Sequence, residues 1–239
     1  FDFDYAPALL LRTDPSDGFA SIGVVNLAFA GYGEGNLPDE GLFNRFLTLA
    51  GPFLPFDGVN EKGVAIALLA VPHAEPPRES GRIVLNTTTL IRLVLDRADS
   101  VQQALDMLDG YTLYFSGGVE CHYLISDASG DSAVVEFLDG EMCVTRTEKN
   151  YQIATNFILC GGRNEGEGGT EFVRYDTIEA VLSDRQGVIS EADAMRLLAQ
   201  VKIPGRTQWS VVYNLRTGDV AVCMAERYDS VWHTSLYGA

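Results

Sequence analysis

His122-Tyr123-Leu124-Ile125-Ser126-Asp127-Ala128-Ser129-Gly130-Asp131-Ser132-Ala133-Val134-Val135-Glu136-Phe137-Leu138-Asp139-Gly140-Glu141-Met142-Cys143-Val144-Thr145-Arg146 holds three short apolar or alternating runs, at 122–126, 133–137 and 142–146. Runs of this length bounded by Gly and Asx residues read as strands. The turns between them, 127–131 and 138–141, place Gly or Asx where a positive φ is easiest. Three strands joined by two tight turns predict an antiparallel meander.

The pattern extends outward in both directions. Residues 8–11, 20–27, 64–71, 152–155, 209–215 and 220–224 also read as strands, with further compact turns at Asn60-Glu61-Lys62-Gly63 and Asn214-Leu215-Arg216-Thr217-Gly218-Asp219. Helical periodicity comes as two pairs, 88–97 followed by 100–108, then 173–183 followed by 190–201. Ser100 and Ser190 are suited to N-caps, each just ahead of an apolar three-to-four spacing: Val101, Leu105 and Leu108 in one case, Ala194, Leu197 and Leu198 in the other. Two helix pairs separated by antiparallel strands predict helices layered on sheets, an α+β architecture. Residues 161–169 (GGRNEGEGG) read as a loop. Without an internal repeat or an interdomain linker, residues 1–239 read as a single domain.

Composition removes several classes of function. With 46% hydrophobic residues the chain can bury a substantial core. A net charge of −16, with no Lys/Arg cluster to offset it, repels a phosphate backbone and excludes nucleic acid as a partner. No apolar run approaches the roughly 20 residues that span a bilayer, and a cytoplasmic location is expected. Cys121, Cys143, Cys160 and Cys223 lie far apart without C-x-x-C pairs or His at ligand spacing, so reduced, buried thiols are expected rather than zinc or a disulfide framework. Cys121 and His122 are neighbours on a strand and point to opposite faces, which disfavours a Cys–His pair between them.

At the other end of the chain, Phe1-Asp2-Phe3-Asp4-Tyr5 alternates aromatic and acidic residues, a strand pattern with Phe1, Phe3 and Tyr5 on one face and Asp2 and Asp4 on the other. A carboxylate on a strand is either solvated or part of a polar site.

Six segments in order resemble the choloylglycine hydrolase and acyl-CoA:penicillin acyltransferase group of N-terminal nucleophile (Ntn) hydrolases. They are Phe1-Asp2-Phe3, Phe56-Asp57-Gly58-Val59-Asn60-Glu61-Lys62-Gly63-Val64-Ala65-Ile66-Ala67, His122-Tyr123-Leu124-Ile125-Ser126-Asp127, Ala154-Thr155-Asn156-Phe157, Arg174-Tyr175, and Thr207-Gln208-Trp209-Ser210-Val211-Val212-Tyr213. The resemblance covers almost the whole chain. It implies a four-layer αββα sandwich, two antiparallel sheets flanked by helix pairs, and hydrolysis of linear amide C–N bonds through an acyl-enzyme. The group uses an N-terminal Cys whose α-amine is its own base. Phe1 has neither thiol nor hydroxyl, and Phe1-Asp2 matches the end of the group's Gly-Arg-Asn-(aromatic/Leu)-Asp segment. The nucleophile is therefore expected upstream of Phe1.

The resemblance assigns roles to particular residues. Asp2 matches the carboxylate that holds the nucleophile's amine. Asn156 matches the oxyanion-hole asparagine, whose competing reading is an Asx-turn at a strand end. Arg174 matches the active-site arginine, whose competing reading is a surface helix cation near Glu171, Asp176 and Glu179. Where bile-salt hydrolases carry an Asn this chain has Ala70, so a second oxyanion donor is expected from the backbone N–H of Ala70 or Val71. Asn60 reads as a hairpin residue. No metal or organic cofactor is implied. The implied ligand is a small N-acyl amide, and a homodimer or tetramer is consistent with the group. An acyltransferase of the same group, or a non-catalytic binding domain on the same scaffold, are the alternatives.

Overall fold

The computed structural model describes residues 1–4, 7–33, 35–78, 81–162 and 169–238. Its first half runs β1 (Ala8–Thr13), β2 (Ser21–Asn26), α1 (Leu42–Leu47), β3 (Asp57–Asn60), β4 (Ala65–Ala70), β5 (Val84–Asn86), α2 (Thr87–Arg97) and α3 (Val101–Leu108). Then come β6 (Thr112–Tyr114), β7 (Cys121–Ser126), β8 (Ser132–Leu138), β9 (Glu141–Thr145), α4 (Thr170–Asp184), α5 (Glu191–Val201), β10 (Trp209–Tyr213), β11 (Asp219–Met224) and β12 (Trp232–Ser235).

The meander read from residues 122–146 is present as β7, β8 and β9, paired antiparallel. It forms one side of a seven-stranded sheet ordered β1-β2-β3-β4-β7-β8-β9. A second, three-stranded sheet, β10-β11-β12, is also antiparallel. The small β5–β6 pair is parallel, because α2 and α3 carry the chain back between its strands.

Alternation along the strands sorts the layers. On β7, Cys121, Tyr123 and Ile125 enter a core with Leu90, Val94 and Leu95 of α2 and Val101 and Leu105 of α3. Gly58 of β3 is needed there, since a Cβ would come within 2.9 Å of a Leu95 methyl and 3.0 Å of the Ile22 carbonyl. Its neighbour Asp57 points the other way, where Trp209 Nε1 of β10 donates to it at 2.8 Å. On the outer side of the second sheet, Ala221 and Cys223 pack on Met195 of α5. The order is therefore α2/α3, large sheet, small sheet, α4/α5.

The N-caps read from sequence hold: Ser100 and Ser190 accept from the backbone N–H three residues on, at Gln103 and Asp193. Asn60 is a turn residue whose Oδ1 accepts from Lys62 and Val64, while its Nδ2 ties the hairpin to the Leu95 and Ala98 carbonyls at the end of α2.

Three expectations need correction. Residues 152–155 carry no strand; they run without ladder partners, and the Thr155 hydroxyl instead donates to the Glu171 carbonyl at 3.0 Å. Of the described residues 1–4, only Asp2 makes a β-bridge, to Thr207, with Phe3 N–H donating to Arg206 O beside it. The aromatic–acid alternation survives in that short piece, with Phe1 and Phe3 against the core and Asp2 on the other side. Tyr5 lies outside the described residues, as do 163–168 of the expected loop. Finally, Cys143 and Cys160 form a disulfide across a Cα separation of 6.4 Å, because β9 and the chain after Asn156 meet in space. Cys121 and Cys223 are free and buried.

Candidate active site

Asp2, Asn156 and Arg174, spread over 172 positions, converge on one wall of a cavity of about 1020 Å³ between the two sheets. The convergence has a local cause at each residue. Asp2 is held beside β10 by its bridge to Thr207, whose hydroxyl also donates to Asp2 Oδ1. Arg174 projects from the first turns of α4, and its Nη1 donates to Asp2 Oδ2 at 2.9 Å. Its Nη2 donates to Asn156 Oδ1.

Asn156 in turn donates through Nδ2 to the Ala70 carbonyl at the end of β4, at 2.8 Å. The amide orientation follows from these partners: its oxygen faces a guanidinium and its nitrogen faces a carbonyl, so a flipped amide would lose both bonds. One amide N–H is used on Ala70, leaving the second for another acceptor. Of the two backbone donors expected from sequence, the Val71 N–H is taken up by the Glu120 carbonyl at 3.0 Å. That leaves Ala70, which lines the cavity beside Asn156.

The Asp2–Arg174 pair is shielded, with side-chain exposures of 18% and 16%. The planar donors of a guanidinium can serve a carboxylate and an amide at once. The surface-cation reading of Arg174 therefore fails on burial, and the Asx-turn reading of Asn156 does not account for its bonds to β4 and α4.

Aromatic packing fixes the same elements to one another. Phe157, next to Asn156, stacks on Phe172 of α4 with centroids 4.4 Å apart and meets Tyr175 edge-on at 5.3 Å. Phe1 stacks on Trp209 at 4.7 Å, and Phe3 meets Phe56 edge-on at 5.6 Å.

Asp57 was not singled out from sequence. Fully buried at the cavity floor, it accepts from Val24 N–H at 3.1 Å, Trp209 Nε1 at 2.8 Å and the Tyr213 hydroxyl. Burial pushes its carboxyl above the ordinary 3.8, against the pull of those three donors. A signal was present: an Asp between Phe56 and the Gly58-Val59 pair, in a segment buried throughout. Among the described residues, no three His, Cys, Asp or Glu side chains gather as metal ligands. No helix among them is long and apolar enough to cross a membrane.

Residues 55–202, more than half of the chain, match the family model described as acyl-coenzyme A:6-aminopenicillanic acid acyl-transferase. The chain belongs to that family. Penicillin V acylase of Pectobacterium atrosepticum is 33% identical over 111 residues, an alignment covering 42% of this chain and 29% of that protein. The chain thus aligns with less than a third of that relative. Among solved structures, a variant of the conjugated bile acid hydrolase from Clostridium perfringens superposes with a TM-score of 0.64 at 14% identity, covering 99% of this chain and 83% of the other. Penicillin V acylase from Agrobacterium tumefaciens gives 0.63 at 17% identity, covering 98% and 81%. These likenesses establish the αββα Ntn-hydrolase fold for this member of the acyl-transferase family.

Proposed function

We propose that this chain acts on linear amides as an Ntn hydrolase, with a Cys N-terminal to Phe1 as nucleophile. The observation that carries this reading is the bonded series Thr207, Asp2, Arg174, Asn156 and Ala70 along one cavity wall. Register supports the location of the nucleophile. Phe1 N donates to Trp209 O, so an antiparallel continuation ahead of Phe1 would run along β10 from Trp209 toward Tyr213, beside the cavity.

In this reading the thiolate attacks the amide carbonyl and the α-amine takes the thiol proton. Asp2 orients that amine, and the carbonyl oxygen, as it becomes anionic, accepts from the free N–H of Asn156 and from Ala70. Collapse expels the amine product, then water releases the acid. Phe1, Phe3, Phe56 and Trp209 line the cavity and suit an apolar acyl group.

Two further proposals concern context. The Cys143–Cys160 disulfide favours an oxidising compartment over the cytoplasm expected from the thiol pattern. Leu42, Phe43, Phe46 and Leu49 are all at least 66% exposed, which supports self-association into the expected dimer or tetramer.

The test is to produce the protein with its residues ahead of Phe1, read the mature N-terminal residue by intact mass, and follow amine release from penicillin V and a panel of N-acyl amides. The expected result is an N-terminal Cys and turnover lost on alkylation with iodoacetamide. A verified N-terminal Cys with no amine release from any amide would overturn the reading. Added amine acceptors separate transfer, seen as acylated acceptor, from hydrolysis, seen as free acid.

A further inference from the structure

His122, Glu136 and Cys143 lie side by side on β7, β8 and β9, with Glu136 directly opposite Cys143 in register. His122 and Glu136 are wholly buried, and neither belongs to the site described above. The Glu136 carboxylate is fully engaged. Oε1 meets His122 Nδ1 at 2.9 Å and accepts from Leu159 N–H at 2.8 Å, while Oε2 accepts from Cys160 N–H at 2.6 Å. Cys160 is also joined to Cys143.

A buried carboxylate is costly unless its acceptors are filled, so this one needs an explanation. Its three donors supply part of it. Burial opposes ionisation, but the bonds from His122, Leu159 and Cys160 outweigh it and hold the Glu136 carboxyl below its usual value. What the carboxylate grips supplies the rest. Residues 151–162 form neither helix nor strand, so no ladder or helical bond fixes the path of the chain that carries Asn156. The two N–H groups bound by Glu136 lie three and four residues beyond Asn156, and the ring of Phe157 is pinned from the other side by Phe172.

We propose that Glu136, oriented by His122, is a positioning residue that sets the geometry of Asn156 by holding the backbone at Leu159 and Cys160. The inference rests on Asn156 being the oxyanion donor, but its core claim concerns where the Asn156 amide sits. Glu136→Gln tests it without changing side-chain length. One acceptor oxygen becomes an NH₂ facing an N–H that already donates, and the grip on the segment is lost.

Two readouts separate the outcomes. In the 239-residue chain, the side-chain amide resonances of Asn156 should move in E136Q and stay in place in a Cys143→Ser/Cys160→Ser double variant that keeps the carboxylate. With penicillin V as substrate for the full-length protein, kcat should fall 10- to 100-fold with KM within about twofold. A cooperatively melting E136Q with unmoved Asn156 resonances would overturn the proposal. An Asn156→Ala variant with undiminished turnover would overturn the oxyanion reading instead, leaving the resonance result standing. If E136Q does not fold, hydrogen exchange in the unmodified chain decides. The Leu159 and Cys160 amides should be protected as strongly as those of β7 and β8, and fast exchange at both defeats the inference.

Discussion

Phe157 and Phe172 stack with their ring centroids 4.4 Å apart, joining the irregular segment that carries Asn156 to the helix that carries Arg174. Side chains that meet within one polar cluster are thereby set on elements that are themselves packed together. The arrangement makes each member of the cluster separately testable.

Asn156→Ala removes a side-chain donor and leaves the backbone path in place. On the proposed mechanism, the loss of one preorganised oxyanion donor should lower kcat by about 100- to 1000-fold. KM should change little, because the interaction strengthens only as charge develops on the substrate oxygen. Steady-state kinetics on the full-length protein measures both, and unchanged kcat removes Asn156 from the mechanism.

Asp2→Asn and Arg174→Gln should each destabilise the fold, and the double variant should cost less than their sum. Each single change strands a shielded charge or its donors, whereas the double change removes both. A coupling energy of about 1–3 kcal/mol is expected from urea unfolding of the four proteins. Strict additivity would mean that the pair contributes nothing as a pair.

Asp57 gives a pH dependence of unusual sign for a carboxylate. Burial raises its folded pKa above 3.8, so the native state binds the proton more tightly than the unfolded chain. Stability from this group is complete below 3.8 and declines as pH rises through the folded value. The stability of the unmodified protein relative to Asp57→Asn should therefore fall with rising pH across that window and level off above it. Urea midpoints taken at several pH values test this, and a difference that rises with pH reverses the assignment.

Gly63 sits at φ +77° in the β3–β4 turn, where a Cβ would press on the Leu215 carbonyl and come within 2.8 Å of the Ala128 methyl. Gly130 has a similar φ, +99°, but open space around it. Gly130→Ala should cost about 1 kcal/mol from backbone strain alone, and Gly63→Ala about 2–4 kcal/mol, since the clash adds to the strain. Equal losses in chemical denaturation would show that the contact with the 214–219 turn relaxes without cost.

The elements legible in the sequence were those whose signals are local. Ser100 and Ser190 announce helices by capping chemistry, and the 122–146 meander is bracketed by Asx and Gly turns. β3 was missed because Asp57-Gly58-Val59-Asn60 is buried on both faces and shows no alternation. The helix at Leu42–Leu47 was missed because its 6 residues make less than two turns, too few to establish a period, and none of its side chains is buried. β12 has three exposed residues of four and is a strand only through its pairing with β11.

At the site, Asp2, Asn156 and Arg174 were legible through resemblance, which supplies register between distant segments. Asp57 and Glu136 were not. A lone acid in an apolar run has no visible partner until the sheets are stacked, and each finds its donors on other elements: Trp209 and Tyr213 for one, His122 and Leu159 for the other. The Cys143–Cys160 link was hidden for the same reason, since 17 positions of sequence say nothing about adjacency in space.

The bonded series from Thr207 through Asp2, Arg174 and Asn156 to Ala70 takes its members from nearly the full length of the chain. None of its links is local in sequence, so each carries a loop-closure cost, and the last, from Asn156 to Ala70 of β4, also needs the large sheet in place. A partly folded molecule can hold its helices and its meander and still have no site. On the proposed function, competence for chemistry would report that these long-range contacts have formed.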